Sequence, residues 1–341
     1  MYKRQRNDTR IKYDAFTTAI AKLNGVDKAT VRFSVEPRVQ QTLETRIQES
    51  SAFLAAINVI GVTEMMGARV GVGVKGPIAS RTNTAAGGVR KPRNVADLTE
   101  ADYLCKKTDF DTSIPYQLLD AWAGFADFQT RLRDSIVQRQ ALDRITIGFN
   151  GTTAAAATDL EANPLLQDVN IGWLQKYRLH APDRVAKGGA DPTKIVIGPD
   201  GDFKNLDAVV YDAINSFIDP WHQGDPKLVA IMGRDLLHDK YFPLVNQSQP
   251  ATETLATDIV ISQKRVGGVP AVAVPYFPAG KVLITTMSNL SLYWQISARR
   301  RLIKDVPEVD AIQNFESSND AYVVEDYGRG ALIENIEFAA A

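Results

Sequence analysis

Residues 115–149, PYQLLDAWAGFADFQTRLRDSIVQRQALDRITIGF, constrain this chain more than any other stretch, because they read as one helix longer than a compact domain needs. Leu118, Trp122, Phe125, Phe128, Leu132, Ile136, Leu142, Ile145 and Phe149 recur mostly at three- or four-residue steps, the spacing of a single helical face. Asp120, Asp127, Arg131, Arg133, Asp134, Arg139, Asp143 and Arg144 fill polar positions between them. At 1.5 Å per residue such a helix extends roughly 50 Å, where a usual helix has ~11 to 12 residues. Pro115 suits its first turn, and Asn150-Gly151 is expected to supply a left-handed stop. The pattern predicts a spine on which other elements are laid. No carboxylate pair with a His, no Cys and no Ser-His pair lies along it, so it is read as structural rather than catalytic.

The chain has 341 residues, enough for one sizeable core or two joined ones. Its 39 basic and 40 acidic residues leave a formal charge of -1, which implies no global attraction to nucleic acid or anionic lipid. A single cysteine, Cys105, rules out an internal disulfide framework and fits a reducing cytosol. No apolar run approaches the ~18 residues that span a bilayer, and the basic start MYKRQRNDTRIKYDAF lacks the apolar core of a signal peptide. The expectation is a protein made and used in cytoplasm, unless it leaves as part of something larger.

Charge is distributed unevenly along the chain. Residues 1–33 look like a separate basic piece, a disordered or loosely docked arm with one short amphipathic helix (Tyr13, Phe16, Ile20, Leu23) ending at Asn24-Gly25. A second helix starts near Pro37 with Val39, Leu43 and Ile47 inward, and is expected to run through Ser50-Ser51 toward Phe53, Leu54 and Ile57. Residues 59–95 turn to Gly, Thr and alternating Val, the texture of an extended hairpin. Between Met65 and Ala96 this arm carries Arg69, Lys75, Arg81, Arg90, Lys91 and Arg93 and no acid, with too few bulky apolar residues for a core of its own. At the other end, residues 305–341 hold nine acids against one base, Arg329, so hairpin and carboxyl end are complementary. They meet within one subunit, between two, or are both solvated faces, since exposed ion pairs give only ~0 to 1 kcal/mol.

After the spine the pattern is mixed α+β without a fixed repeat. A short helix falls around Trp173, Leu174 and Tyr177, a strand at Ile195 to Ile197, a helix from Asn205 to Ile218, and a buried strand from Leu228 to Met232. A helix from Arg234 to Tyr241 precedes a strand at Ile259 to Ile261 and a hairpin-like pair from Val266 to Val274 turning at Gly267-Gly268. Strands follow at Val282 to Met287, Leu290 to Ile296, Tyr322 to Val324 and Leu332 to Ile336.

The search for chemistry returns no catalytic, cofactor or metal residues. His180, His222 and His238 lack ligand spacing. Gly71, Gly73 and Gly76 spell G-x-G-x-x-G, but Pro77 and a polar run follow where the phosphate-binding helix should start. Asp200-Gly201-Asp202 lacks the further ligands of a calcium loop and reads as a turn with a helix cap. Cys105 stands beside Lys106 and Lys107 without a visible base and is taken as non-catalytic. Arg299, Arg300 and Arg301 form the densest basic cluster, with phosphate or a neighbouring subunit's carboxylates as equally good partners. A long spine, an arm that cannot fold alone and no assembled catalytic group suggest a building unit whose surfaces meet copies of itself.

Several long stretches, in order, carry a resemblance: VEPRVQQTLETRIQESSAFLAAINV (35–59), LDAWAGFADFQTRLRDSIVQRQALDRITIGFNG (119–151), NPLLQDVNIGWLQKYR (163–178), DKYFPLVN (239–246), IVISQKRVGGVPAVAVPYFPA (259–279) and YVVEDYGRGALIE (322–334). Over almost its whole length the sequence resembles the major capsid proteins of tailed phages of the peduovirus type. That resemblance implies the Hong Kong 97-like capsid fold and a shell of hexamers and pentamers around a double-stranded DNA genome, assembled in the bacterial host cytoplasm. The chain then divides into an assembly segment (1–33), an N-arm (34–58), an extended E-loop (59–95), a peripheral domain (96–205) with its spine (115–149), an axial domain (206–299) and carboxyl-terminal strands returning to the peripheral domain (300–341). Family members lose an amino-terminal segment to a maturation protease, and the matching position here is Phe33-Ser34.

The implied partners are further copies of the chain, a scaffold or protease, a portal protein, decoration proteins and packaged DNA held without sequence specificity, and no membrane. Arg69, Lys75, Arg81, Arg90, Lys91 and Arg93 are expected at intersubunit contacts, with Glu325 and Asp326 as their acidic counterparts. Lys75 is the residue available for a hairpin crosslink of the kind some such capsids form, with no catalytic Glu assignable. Two other readings stay open at this point: an encapsulin-like compartment of the same fold carrying cargo enzyme, and a soluble α/β enzyme with a dispersed site.

Overall fold

The protein is described here from a computed structural model covering residues 7–68, 79–87, 89–90, 102–122, 128–245 and 264–339. Its frame is a seven-stranded sheet built around one long strand, Ala311–Val324. That strand is paired along both edges. Antiparallel partners Arg300–Val306 and Leu290–Gln295 follow each other along one edge, and Thr112–Pro115 and Lys106–Asp109 along the other. Phe33–Ser34 extends the sheet beyond Arg300–Val306, and Asn58–Val62 lies parallel to Leu290–Gln295. Sequence patterning anticipated the long strand only from Tyr322 on. Its earlier part, with Gln313, Asn314, Glu316, Ser317, Ser318, Asn319 and Asp320, is too polar to read as core, yet Glu316, Ser318 and Asp320 are buried.

The spine is helical at Tyr116–Trp122 and at Phe128–Asn150, and the five residues between lie outside the described part. Its buried face matches the large apolar residues only in part: Ile145 and Phe149 are buried, and Ile136 and Leu142 are half-buried. Leu118 is 40% exposed while Leu119 is buried, and Val137, Gln140 and Ala141 face inward, after which Arg144 to Asn150 are buried on every side. There the helix enters an aromatic cluster in which Phe149 meets Phe53 at 5.2 Å and Trp173 at 5.1 Å, and Trp173 meets Tyr322 edge-on at 5.2 Å. Gly148 makes that approach possible: a Cβ there would stand 2.2 Å from the Trp173 ring. The helix ends at Gly151 without the expected left-handed residue. Gly151 is required because a Cβ would stand 2.1 Å from the Asn170 carbonyl oxygen.

The amino-terminal piece is docked rather than loose. Helix Asn7–Leu23 ends at Asn24-Gly25 as expected, with Gly25 at φ +62°. Tyr13, Ile20, Ala29 and Phe33 are buried against Ile114, Leu119, Ile303 and Ile312. The following helix is Pro37–Glu49 and stops at Ser50 instead of running on; Ala52–Ala56 is a separate short helix that brings Phe53 and Leu54 into the core.

A second, six-stranded sheet holds Arg265–Val266, Val269–Ala273, Leu228–Met232, Val282–Thr286, Ala331–Ile333 and Val185–Ala186 in that order. Gly267 and Gly268, both at positive φ, make the tight hairpin turn that the sequence signalled. Helix Leu206–Phe217, capped by the Asn205 side chain on the Ala208 N–H, packs on this sheet. The strand expected at Ile259 to Ile261 lies outside the described residues.

Strand membership departs from the expected division at one point. Leu290–Gln295, placed by sequence with 206–299, pairs with the long strand of the seven-stranded sheet. Ala331–Ile333, expected to return to the peripheral domain (96–205), lies between Val282–Thr286 and Val185–Ala186 in the second sheet, and Ile336–Phe338 pairs with Ile195–Ile197. The two sheets are therefore joined by strands that are close in sequence but sorted apart by register.

Candidate assembly site

The hairpin leaves the body through a two-stranded base, Met66–Ala68 against Asp102–Leu104, with the Cys105 N–H on the Met65 carbonyl. Strand Asn58–Val62 belongs to the large sheet, so the first residues of the 59–95 stretch lie in the body. Tyr103 anchors the base by stacking edge-on on Tyr293 at 5.1 Å. Cys105 is fully buried there, and burial, helped by Asp320, pushes its thiol up to about 12, which makes it a poor nucleophile. Met65, Met66, Leu104 and Val89 are exposed, as are Arg81 and Arg90. Arg69, Lys75, Lys91 and Arg93, together with the G-x-G-x-x-G stretch, fall outside the described residues.

Glu325 and Asp326 sit where the long strand ends. Glu325 is buried, and its Oε1 accepts from the Ser291 and Tyr293 hydroxyls. Asp326 pairs with His222 at 3.2 Å, accepts from the Gly328 N–H and keeps 21% of its side chain exposed. Both acids are tied into their own subunit.

The feature that sequence reasoning missed lies beneath these surfaces. Helix Pro37–Glu49 turns Gln40, Glu44 and Ile47 inward, with Val39 and Leu43 only partly buried. Glu44 meets two guanidiniums, Arg144 of the spine and Arg299 ahead of strand Arg300–Val306. Arg144 also grips Asp320 of the long strand with two bonds, 3.1 and 3.2 Å, and Arg299 holds Glu316 at 2.7 Å and the Gln140 side chain at 2.8 Å. Gln140 closes the ring by donating to Glu316 at 3.1 Å. Arg144, Arg299, Glu44, Glu316 and Asp320 are each at most 3% exposed. Burial alone would neutralise carboxyls in such a place. Burial pushes the Glu316 carboxyl up, but Arg299 and Arg301 overcome it and bring it down to about 2. Glu44 is likewise held below its ordinary value, because Arg144 and Arg299 outweigh its burial. For Asp320 burial wins and its carboxyl lies above the usual range, despite Arg144. The junction welds arm, spine and sheet into one body.

This answers two expectations. Arg299 was thought to seek phosphate or another subunit's carboxylates; its partners are carboxylates of its own chain. The acidic carboxyl end was read as a complement to the hairpin, yet Glu316 and Asp320 are taken by Arg299 and Arg144, and Glu334 by Arg178 and Lys281. A usable signal existed in the helical spacing of Gln40, Glu44 and Ile47 and of Gln140 and Arg144, but polar residues at core positions read as surface unless their partners are known. Asp202 is similar in kind: it accepts the Ala190 and Val196 N–H groups and staples two loops, while the helix cap expected of that turn belongs to Asn205.

Among the described residues no group of three or more His, Cys, Asp or Glu is arranged to hold a metal, and no helix is long and apolar enough to cross a membrane. The family model described as "Phage major capsid protein, P2 family" matches residues 12–336. A capsid protein of Escherichia phage P2 is 49% identical over 340 residues, covering 97% of this chain and 95% of that protein. The major capsid protein of Serratia phage KSP20 is 43% identical, covering 98% of each. A chain in the procapsid of satellite phage P4, solved with the size determination (Sid) protein, superposes with a TM-score of 0.82 at 46% identity, covering 98% of this chain and 99% of that one. The architecture is the Hong Kong 97-like capsid fold. A family match over residues 12–336 and relatives matched nearly end to end have one reading: the chain belongs to the P2 family of phage major capsid proteins.

Proposed function

We propose that this shell-forming protein assembles as hexamers and pentamers into an icosahedral capsid around double-stranded DNA, in the host cytoplasm. The observation that carries this is the hairpin: its described part puts Met66 (62% exposed), Val89 (78% exposed), Arg81 and Arg90 in solvent on a two-stranded base, surface that only a neighbour can bury. We assign 63–104 to the intersubunit arm, 105–205 with the spine to the peripheral domain, and 206–299 without Leu290–Gln295 to the axial domain. Arg69, Lys75, Arg81, Arg90, Lys91 and Arg93 meet a neighbour's carboxylates, and of the two expected acids Asp326, the more exposed, is the better placed. Many weak contacts suffice because closure of a lattice raises the effective concentration of each. Portal, scaffold and decoration proteins complete the particle.

Residues 1–33 are removed at Phe33-Ser34 after assembly. That bond lies in a sheet-edge strand registered on Arg301 and Arg300, so cutting requires the segment to lift from Ile114, Leu119, Ile303 and Ile312 first. Electron microscopy of the expressed chain with and without a scaffold tests the shell, and absence of particles under both conditions sinks it. Intact mass of subunits from mature particles tests the cut; a retained Met1 end refutes it. A cargo-carrying compartment of the same fold is not favoured, since the named relatives matched nearly end to end are phage capsid proteins; particle contents separate the two.

A further inference from the structure

Three helices leave an open groove between them. Phe16, Ile20 and Leu23 come from Asn7–Leu23, Val39 and Leu43 from Pro37–Glu49, and Ile136 from the spine. The space is about 770 Å³, within the range that takes a drug-sized molecule or the anchoring side chains of a helix. Its floor is apolar and only partly covered: Ile20 is buried, Phe16, Val39, Leu43 and Ile136 are half-buried, and Leu23, at the end of its helix, is 66% exposed. The rim has the opposite character. Arg38 and Arg46, about two turns apart on the arm helix and both exposed, stand on one side, and Arg133 stands on the spine. Glu36, the one acid lining the groove, already has its Oε2 on the Arg38 backbone N–H at 3.0 Å, and Arg133 shares its charge with Asp134 at 2.8 Å.

We propose that this groove docks an amphipathic helix of a partner protein, with apolar residues at i, i+3, i+4 and i+7 on the floor and acidic residues along its flanks facing Arg38 and Arg46. A second copy of the chain suits the site less well. Its own exposed amino-terminal helix is basic, with Arg10, Lys12 and Lys22 against Asp8 and Asp14, and brings like charge to the rim. Nucleic acid would find partners at the rim and nothing for the floor. Because Asn7–Leu23 forms one wall, a cut between Phe33 and Ser34 removes that wall, and the groove belongs to the untrimmed chain. The loss on trimming rests on the function proposed above; the docking itself does not.

The test is fluorescence anisotropy on the full-length chain in about 0.15 M salt, with two labelled helical peptides of about 18 residues that share one Leu stripe. One carries Glu flanks and the other Lys flanks. The Glu peptide is expected to bind at least about tenfold more tightly than its Lys twin. Arg38→Glu with Arg46→Glu should cancel that preference, and Leu23→Asp, at an exposed position, should abolish binding with the thermal midpoint unchanged. Equal binding of both peptides, binding indifferent to these substitutions, or no binding of either overturns the proposal. So does sedimentation showing that the free chain self-associates through this face and that Leu23→Asp abolishes it, which would make the occupant a second copy. Particle formation by the same variants is scored separately by microscopy, so loss of the shell reading and loss of the groove reading are distinguishable.

Discussion

The two sheets reach stability by different routes. The six-stranded sheet is filled by Val210, Ala230, Met232, Val282, Ile284, Ala331 and Ile333, all fully buried hydrocarbon or thioether. The seven-stranded sheet shares an apolar cluster with the spine, but its centre is crossed by Glu44, Arg144, Arg299, Glu316 and Asp320. An apolar core tolerates change in proportion to the volume removed, because each group contributes by area and packing. A buried ion cluster does not degrade in that way, since removing one member leaves the others charged and dry. The charged centre also joins elements far apart in the chain: residues 44, 144, 299, 316 and 320 come from arm, spine and sheet. Directional bonds at fixed distances set how those elements sit, which hydrocarbon contact alone leaves more permissive.

The contrast breaks most visibly at Arg144. Arg144→Leu strands Asp320, leaves Glu44 with Arg299 alone, and is expected to lower stability by about 3 to 5 kcal/mol. Ile284→Ala in the other sheet, a cavity without charge, should fall at about 2 to 5 kcal/mol. Chemical denaturation of both, with Arg144→Leu/Asp320→Asn as a third variant, decides the matter. If the second substitution restores nothing, charge stranding is not the cause.

Acid titration separates the sheets next. Glu316, at about 2 when folded, and Glu44, also depressed, contribute stability that is complete above the ordinary carboxyl range and drains as pH falls from about 4.5 toward about 2. Asp320 acts in the opposite sense: its raised value means that ionisation works against folding, a penalty that lifts as pH falls through that value. The expected net for Glu316 alone is a loss of about 3 kcal/mol across that window. In urea unfolding followed against pH, Glu316→Gln should flatten the acid limb while starting lower at neutral pH. An acid limb as steep as the wild type's would show that Glu316 is not the titrating group.

Gly148→Ala tests packing at the spine without touching charge. Alanine favours a helix by about 1 kcal/mol over glycine, but the added Cβ falls 2.2 Å from a ring that cannot fold away, so a net loss of about 1 to 3 kcal/mol is expected by thermal melting. A stabilised variant would mean that the Trp173 ring shifts freely.

The smallest effect is expected at the hairpin. Arg90→Glu with Lys91→Glu should move the monomer's unfolding midpoint by no more than about 0.5 kcal/mol, while particle yield falls. Unchanged yield removes these cations from the assembly contacts.

The difference between the sheets also marks how far the sequence could be read. In the second sheet, strands 228–232 and 282–286, the helix at 206–217 and the Gly267-Gly268 turn were legible within a residue or two, because period and turn chemistry are local properties. Around the charged centre local reading failed. Ala311–Val324 was missed up to Tyr322 because its polar residues look solvated, and Gln40 and Glu44 were set on the wrong face of their helix. The Gly151 stop was placed correctly for a wrong reason: the glycine serves close approach rather than a left-handed turn.

By itself, then, the sequence determined the helical character of the spine at Tyr116–Trp122 and Phe128–Asn150, the basic, glycine-rich composition of the 59–95 stretch, and an ordered run of stretches shared with phage capsid proteins. These follow from periodicity, composition and long matched segments, all of which are written along the chain. Only the tertiary structure decided that Glu44, Arg144, Arg299, Glu316 and Asp320 are interior, and that neighbouring strands sort into different sheets. The physical reason is that a charged side chain is buried only where its counter-charge arrives from elsewhere, and that arrival is a property of the folded chain rather than of any window within it.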